Sequence, residues 1–144
     1  MRIVAQRVKN ASVTVDGTIT GKIDQGLLLF VGFTEGDNLE KINYMVNKVI
    51  NLRVFDDNNG VMNLSVQDVG GSILSVSQFT LYGDASKGNR PSYIKALKGD
   101  EAINLYNIFN EKLKEVIHTE TGIFGADMKV DLLNDGPITI LIEK

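Results

Sequence analysis

The sequence predicts a single α/β domain spanning residues 1–144, with a strand-rich core and two main helices. Apolar runs typical of strands occur at both ends of the chain and in its middle. Two amphipathic segments have the spacing of helices, and no linker, repeat or low-complexity tract divides them. The composition, 43% hydrophobic and 23% charged, is that of a globular domain with a core.

The first third of the chain predicts strands and then a helix. "RIVAQRV" and "SVTV" alternate, and Asp16-Gly17 before "TITGKI" predicts a tight hairpin. Residues 26–33, "GLLLFVGF", predict a strand buried on both faces. Asp37 followed by Glu40 resembles a capping box at the start of a helix of about 14 residues. Its apolar positions recur every three or four residues: Leu39, Ile42, Met45 (or Val46), Val49 and Leu52.

The rest of the chain continues this mixture. "LRVF" predicts a short strand before the turn "DDNNG", and residues 72–83, "SILSVSQFTLYG", predict a long one. The polar stretch "DASKGNRPSY" predicts a loop directly after it, a common place for a functional site. A second helix from Asp100 to about Ile117 has a stripe of Ile103, Tyr106, Phe109, Leu113 and Val116. "MKVDLL" and "ITILI" predict two closing strands around the turn "NDGP".

Composition narrows the class of protein. The chain has no cysteine and no apolar stretch approaching a membrane span, so we expect a soluble cytoplasmic protein without membrane association. A net charge of −3 disfavours tight non-specific binding of nucleic acid. The densest basic run is flanked by acidic residues, and it is either a solvated surface segment or a local nucleic-acid contact. It comprises Lys87, Arg90, Lys95 and Lys98, with Asp84, Asp100 and Glu101 beside it.

We expect neither a metal nor a cofactor. His118 is the only histidine, and a zinc site without cysteine would need mostly carboxylates. His118 follows a predicted helix, where a surface cation favours the helix dipole, so a structural role is the better interpretation than a catalytic base. The chain also lacks a phosphate-binding loop and a Rossmann glycine pattern.

Two short motifs stand out. In "SQFTL", residues 77–81, strand alternation would place Gln78 and Thr80 on one face, either solvated or lining a pocket. Thr80 has no general base nearby in sequence, so it would be a poorly activated nucleophile. In "NDGPIT", residues 134–139, Pro137 would begin the last strand after a plain turn. A cis bond before it has odds of only about one in twenty from residue chemistry alone.

Together, "SVSQFTLYG" and "LLNDGPIT" resemble the two signature motifs of the D-aminoacyl-tRNA deacylase family, formerly named D-tyrosyl-tRNA deacylase. The likeness extends to "MRIVAQRVKNASVTVDG", "MNLSVQDVGGSILSVSQFTL", "NRPSY" and "TGIFGADMKVDLLNDGP", which cover nearly the whole chain in matching order. Tyr93 is a mild departure, since the family often has phenylalanine there.

The resemblance implies an enzyme that hydrolyses the ester joining a D-amino acid, or glycine mischarged on alanine tRNA, to the 3′ end of tRNA. It implies a layered α/β/β fold and a homodimer with active sites at the interface. Gly136 and Pro137 match a Gly-cis-Pro motif that enters the pocket of the other subunit and excludes L side chains. Arg7 would hold that motif in place.

The resemblance also implies site residues. Ser77, Gln78, Phe79 and Thr80 would line the pocket, and backbone N–H groups near Phe79 and Thr80 could stabilise the oxyanion. We favour assistance by the 2′-hydroxyl of the terminal adenosine over Thr80 as nucleophile, because Thr80 lacks a base.

Two further residues, Phe124 and Met128, match a stretch expected near that adenosine, although ordinary core packing is equally compatible with them. The alternative function is a non-catalytic nucleic-acid-binding protein, because some eukaryotic members are described as binding DNA-unwinding elements.

Overall fold

The computed structural model describes all residues from 1 to 144 and confirms the α/β class with two main helices. The elements in chain order are β1 (Arg2–Val15), β2 (Thr18–Ile23), β3 (Gly26–Gly32), α1 (Leu39–Ile50), β4 (Phe55–Asp56), β5 (Met62–Leu64), β6 (Ser72–Ser77), a 3₁₀ helix (Phe79–Tyr82), α2 (Gly99–Lys114), β7 (Thr119–Thr121) and β8 (Lys129–Glu143).

The long strand β1 organises a six-stranded mixed sheet. The strand order is β2-β1-β3-β6-β7, and β8 pairs with β1 as well. On one side, β1 pairs first with β3 and then with β2; on the other side it pairs with β8 along most of its length. The β3–β6 and β6–β7 pairs are parallel, so the carboxyl ends of these strands lie at one edge of the sheet.

Two apolar clusters cover the two faces of the sheet. The larger cluster lies against the helices and includes Leu27, Leu29 and Phe109. The smaller cluster lies on the opposite face and includes Leu28 and Val76. Neighbouring residues of β3 thus enter different clusters, as predicted for a strand buried on both faces.

The start of α1 differs from the predicted capping box. The cap is Asn38, whose side chain accepts a hydrogen bond from the Lys41 N–H at 3.1 Å. Asp37 instead receives the α-amino group of Met1 at 2.7 Å, and both groups are buried. The carboxylate of Asp37, which the local sequence would assign to the helix cap, therefore pairs with the N-terminus instead.

The apolar stripes are confirmed in their central residues. In α1, Ile42 and Met45 are buried but Leu39 at the first position is exposed. In α2, Tyr106 and Phe109 are buried whereas Ile103 is exposed. Both helices are shorter than predicted at their carboxyl ends, so Leu52 and Val116 lie outside them.

The strand predictions need three corrections. β6 ends at Ser77, and the predicted continuation through "FTLY" is a 3₁₀ helix, because the parallel partner β3 makes its last pair with Ser77. The two closing strands are one continuous strand, β8, because β1 is long enough to pair with both halves. The short strands β5 and β7 were not predicted.

Candidate active site

A pocket of about 270 Å³ opens where β3 and β6 end. Ligand sites in α/β sheets commonly lie at the carboxyl ends of parallel strands. Five of the predicted site residues line it, namely Ser77, Gln78, Phe79, Phe124 and Met128. The lining comprises Val31, Gly32, Phe33, Val76, Ser77, Gln78, Phe79, Leu97, Ala102, Phe124, Gly125, Ala126, Asp127, Met128 and Val130.

The pocket segment, residues 77–80, is not the alternating strand that the sequence predicted. Ser77 is the last residue of β6, Gln78 precedes the 3₁₀ helix, and Phe79 begins it. Gln78 and Thr80 therefore do not share a strand face. The Gln78 Nε2 instead donates to the Thr80 Oγ1. Thr80 is exposed and does not line the pocket.

The start of the 3₁₀ helix leaves backbone N–H groups beside the pocket without acceptors in the helix itself. The first N–H groups of a helix have no acceptor within that helix. The N–H groups of Phe79 and Thr80 occupy those positions. The glycine opposite, Gly32, allows the close approach, since a Cβ on it would lie 2.9 Å from the Gln78 carbonyl oxygen.

The first arginine of β1 supports the far end of this helix. Arg2 Nη1 donates to the Leu81 carbonyl at 2.8 Å, and its guanidinium lies 4.6 Å from the centre of the Tyr82 ring. Burial raises the pKa of Tyr82 to about 12, against a partly opposing effect of Arg2. The Tyr82 hydroxyl is therefore neutral at neutral pH.

Behind the pocket, the second helix contacts the strand that leads to it. The Tyr106 hydroxyl donates to the Ser75 carbonyl at 2.8 Å, and burial raises the pKa of Tyr106. The Tyr106 ring packs on Phe124 with 5.6 Å between centroids. Phe124 thus lies both in the pocket wall and at the edge of the core.

The second predicted motif lies in an irregular part of β8. Gln6 pairs with Thr139 and Val8 pairs with Asn134, so residues 135–138 bulge opposite the single residue Arg7. We call this segment the β8 bulge. The Gly136–Pro137 peptide bond is cis, and both residues are exposed. Neither lines the pocket of its own chain.

The buried side chain of Arg7 lies beneath the bulge. Its Nε donates to the Asp135 carbonyl at 3.1 Å, and its Nη1 donates to the Val54 carbonyl at 2.8 Å and to Asp56 at 3.3 Å. A Cβ on Gly136 would lie 3.2 Å from Arg7 Nη2. Arg7 therefore contacts the segment that the resemblance assigned to it.

The remaining polar candidates lie apart from the pocket. The exposed imidazole of His118 pairs with Glu120 at 3.1 Å. The His118 carbonyl accepts from Ile73 at the amino end of β6, whereas Thr80 follows the carboxyl end of that strand. His118 is thus not positioned to activate Thr80. No helix has the length and apolar character needed to cross a bilayer.

Several pocket residues escaped sequence reasoning. Gly32, Leu97 and Ala102 reach the pocket only through tertiary packing, and nothing in their local patterns distinguishes them from turn or core residues. Arg2 carried a weak signal, since a charged residue in an apolar strand needs a partner.

Comparison with known proteins assigns the chain to a family. The profile of the D-Tyr-tRNA(Tyr) deacylase family matches residues 4–143. The chain belongs to this family. As a member it is a hydrolase, a D-aminoacyl-tRNA deacylase, which confirms the class of enzyme implied by the two motifs.

Two solved structures share the whole architecture. One, described as a c-Myc DNA Unwinding Element Binding Protein, is 40% identical, with a TM-score of 0.94 over 100% of this chain and 99% of that one. The other, described as "a probable eukaryotic D-amino acid tRNA deacylase", is 16% identical, with a TM-score of 0.82 over 98% of this chain and 97% of that one. At 16% identity, the second likeness concerns the fold alone.

Proposed function

We propose that this deacylase proofreads chirality: it releases D-amino acids, and glycine mischarged on alanine tRNA, while leaving L-aminoacyl-tRNA intact. The supporting observation is that the pocket segment and the β8 bulge lie apart on one chain. The pocket segment lines a cavity, whereas the exposed Gly136 and Pro137 do not reach it. A second chain is the natural source of a bulge for each pocket.

The proposed homodimer has support in the edge strand β8. This strand of 15 residues pairs only with β1, so its other edge has free backbone groups. Long exposed edges are normally covered in native proteins. Large apolar side chains are also exposed along it, with Leu133 at 56% and Leu141 at 58%. A two-fold contact between identical chains would bury both features.

Within the composite site, the bulge acts by exclusion. Backbone carbonyls near Gly136 would stand close to the substrate Cα and leave no room for an L side chain. Backbone held by a buried arginine cannot move away as a side chain can. Discrimination by such a clash needs no recognition of the side chain itself, so many D-amino acids would be accepted.

The chemistry falls to the pocket segment. The N–H groups of Phe79 and Thr80 would donate to the oxyanion of the tetrahedral intermediate. Phe124 and Met128 would hold the terminal adenosine, and Ser77 and Gln78 would complete the wall. Water would attack the ester carbon with help from the 2′-hydroxyl of that adenosine, and the 3′-hydroxyl of the tRNA would leave. Thr80 is disfavoured as nucleophile because its hydroxyl accepts from Gln78 and no histidine lies near it.

The direct test compares two substrates that differ only in chirality. Purified protein without added metal should release tyrosine from D-Tyr-tRNA and leave L-Tyr-tRNA largely intact over the same period. Equal hydrolysis of both would contradict the proposed selectivity. Hydrolysis of neither would favour the alternative, a nucleic-acid-binding protein without catalysis. The 40% identical structure is described as a DNA-unwinding-element-binding protein, which is consistent with that alternative. We place the activity in the cytoplasm, where charged tRNA is used.

The mechanism is tested by removing one hydroxyl at a time. Thr80→Ala should retain kcat within about tenfold, whereas D-Tyr-tRNA ending in 2′-deoxyadenosine should lose on the order of 100-fold or more. The opposite pattern, an inactive Thr80→Ala variant and an unaffected deoxy substrate, would establish Thr80 as the nucleophile.

A further inference from the structure

The basic loop, residues 84–98, connects the 3₁₀ helix of the pocket to α2. It contains four cations and one anion, a net charge of +3, in a chain whose total is −3. The rest of the protein therefore carries −6. The cations are Lys87, Arg90, Lys95 and Lys98, and the anion is Asp84. Charge is segregated toward this one loop.

The cations of the loop are largely free of internal partners. Lys87, Arg90 and Lys98 have no carboxylate within 4.0 Å, and Lys95 lies 3.9 Å from Asp84. Outside the loop, Lys9, Lys41, Lys114 and Lys129 form closer ion pairs, whereas Lys22, Lys48 and Lys112 are also without a carboxylate within 4.0 Å. All four loop cations are exposed. They are therefore available to an external anion without breaking a contact in the protein.

The loop is fixed beside the mouth of the pocket. Its first part is closed by reciprocal backbone hydrogen bonds between Asp84 and Ser92, both 2.8 Å. Tyr93 then packs edge-on against Phe79 of the pocket segment, with 5.2 Å between ring centroids. At the other end, Leu97 lines the pocket and its N–H donates to the Phe33 carbonyl at 2.9 Å.

We propose that the basic loop is the docking surface for the phosphate backbone of the tRNA acceptor strand, leading its 3′ end into the adjacent pocket. This proposal rests on the proposed function and names the part of the protein that holds the substrate outside the pocket. A polyanion is repelled by the rest of the surface and attracted here, so the loop would fix its orientation as well as its affinity.

The acidic residues after the loop limit how much each cation contributes. Asp100 and Glu101 occupy the first turn of α2, where carboxylates favour the helix dipole. They lie close in sequence to Lys98 and would weaken its attraction for phosphate. Lys87 and Arg90 lie farther from Asp100 and Glu101 in sequence, so they are the more informative pair to replace.

The test uses two substrates, D-Tyr-tRNA and the phosphate-free ester 3′-O-D-tyrosyl-adenosine. For Lys87→Gln/Arg90→Gln, kcat/KM on the tRNA should fall by about tenfold, through KM, and the log–log salt dependence should become shallower by about two. Its kcat/KM on the adenosine ester should stay at the wild-type value. The matched control is Lys22→Gln/Lys48→Gln, which removes two exposed lysines outside the loop and should change neither.

Three outcomes would overturn the proposal: equal losses on both substrates, an unchanged salt dependence, or equal losses in the control variant. Binding of uncharged tRNA needs no catalysis and separates this proposal from the function itself. The loop variant should bind uncharged tRNA more weakly than wild type even if no ester were hydrolysed. Equally tight binding of tRNA and of a DNA duplex of the same length by wild-type protein would overturn the assignment to tRNA.

Discussion

The pocket segment and the β8 bulge each rest on an arginine of β1, but the two arginines differ in burial. The Arg2 side chain is 38% exposed. It stabilises the 3₁₀ helix together with the buried Tyr82, which belongs to that helix. The Arg7 side chain is 9% exposed and holds the bulge through backbone carbonyls. The pocket segment also continues directly from a buried core strand. The bulge lies on an edge strand, where Arg7 supports it together with a hydrogen bond from the Ile138 N–H to Asn134 Oδ1 at 3.3 Å.

This difference matches the division of labour that we propose. Stabilising the oxyanion needs N–H donors that the core of the same chain holds in place. Excluding L-amino acids needs a rigid backbone at an exposed edge, where it can enter the pocket of another chain. The following changes test the division, in order of decreasing expected effect.

The largest effect is expected from a charge introduced in the pocket. Phe79→Asp would place a carboxylate beside the N–H groups that we propose hold the oxyanion, so we expect kcat/KM for D-Tyr-tRNA to fall on the order of 100-fold. Its stability should change little, because the Phe79 side chain is half exposed. The neutral control Phe79→Leu should keep activity within about tenfold. Similar losses in both variants would point to packing on Tyr93 instead of charge.

Removing the buried arginine should come next. Arg7→Met would leave the Val54 carbonyl without its donor and free the bulge, with a loss of about 2–3 kcal/mol in the free energy of unfolding. We also expect hydrolysis of L-Tyr-tRNA to rise relative to D-Tyr-tRNA. Arg2→Met should cost about 1 kcal/mol or less and leave the D/L ratio unchanged. Urea unfolding measures the stability of each variant, and initial rates on D-Tyr-tRNA and L-Tyr-tRNA give its D/L ratio. Equal effects of Arg7→Met and Arg2→Met would contradict the difference between the two arginines.

A smaller loss is expected from a methyl group in the bulge. Gly136 has a φ of +123°, and a Cβ would lie 2.7 Å from Ile138 Cγ1. We expect Gly136→Ala to cost about 1–2 kcal/mol of stability and to lower the D/L ratio. Gly60→Ala is the control, since its φ is +72° and nothing lies within 4 Å of its Cβ position. It should cost stability alone, and a changed D/L ratio in this control would discredit the assay.

The smallest effect concerns pH and the anchor of the pocket segment. Tyr82 has a folded-state pKa of about 12 against an ordinary value of 10.0, because burial disfavours the phenolate. Between these values the folded state binds the proton more tightly, so stability should fall as pH rises from 10 to 12. Tyr82→Phe should make this fall shallower, and the buried Tyr106 should supply part of the remaining slope. An identical slope in the variant would contradict the assigned burial.

Local patterns were sufficient where neighbours in sequence are also neighbours in space. The buried strand β3 and the central positions of both helical stripes follow directly from apolar spacing. The predictions failed where a distant group competes. Asp37 lost its capping role to the amino group of Met1, 36 residues away. Residues after Ser77 lost their strand because β3 offers no further partner.

The candidate site was predicted unevenly for the same reason. Ser77, Gln78 and Phe79 line a pocket and Arg7 contacts the bulge, while their proposed roles in the reaction stay predictions. Thr80 was placed on a strand face that does not exist. Leu97 reaches the pocket, and Arg2 reaches the end of the 3₁₀ helix, through the folding of separate elements, which no local pattern encodes.

The central claim, that the pocket of one chain is completed by the bulge of the other, can be tested in a mixed dimer. Phe79→Asp and Gly136→Ala chains carrying different tags would be co-expressed and the heterodimer purified. We expect one intact composite site, with about half the wild-type rate and the wild-type D/L ratio. If pocket and bulge act within the same chain, the only working pocket would retain its altered bulge. The heterodimer would then have the lowered D/L ratio of Gly136→Ala, which would contradict the account.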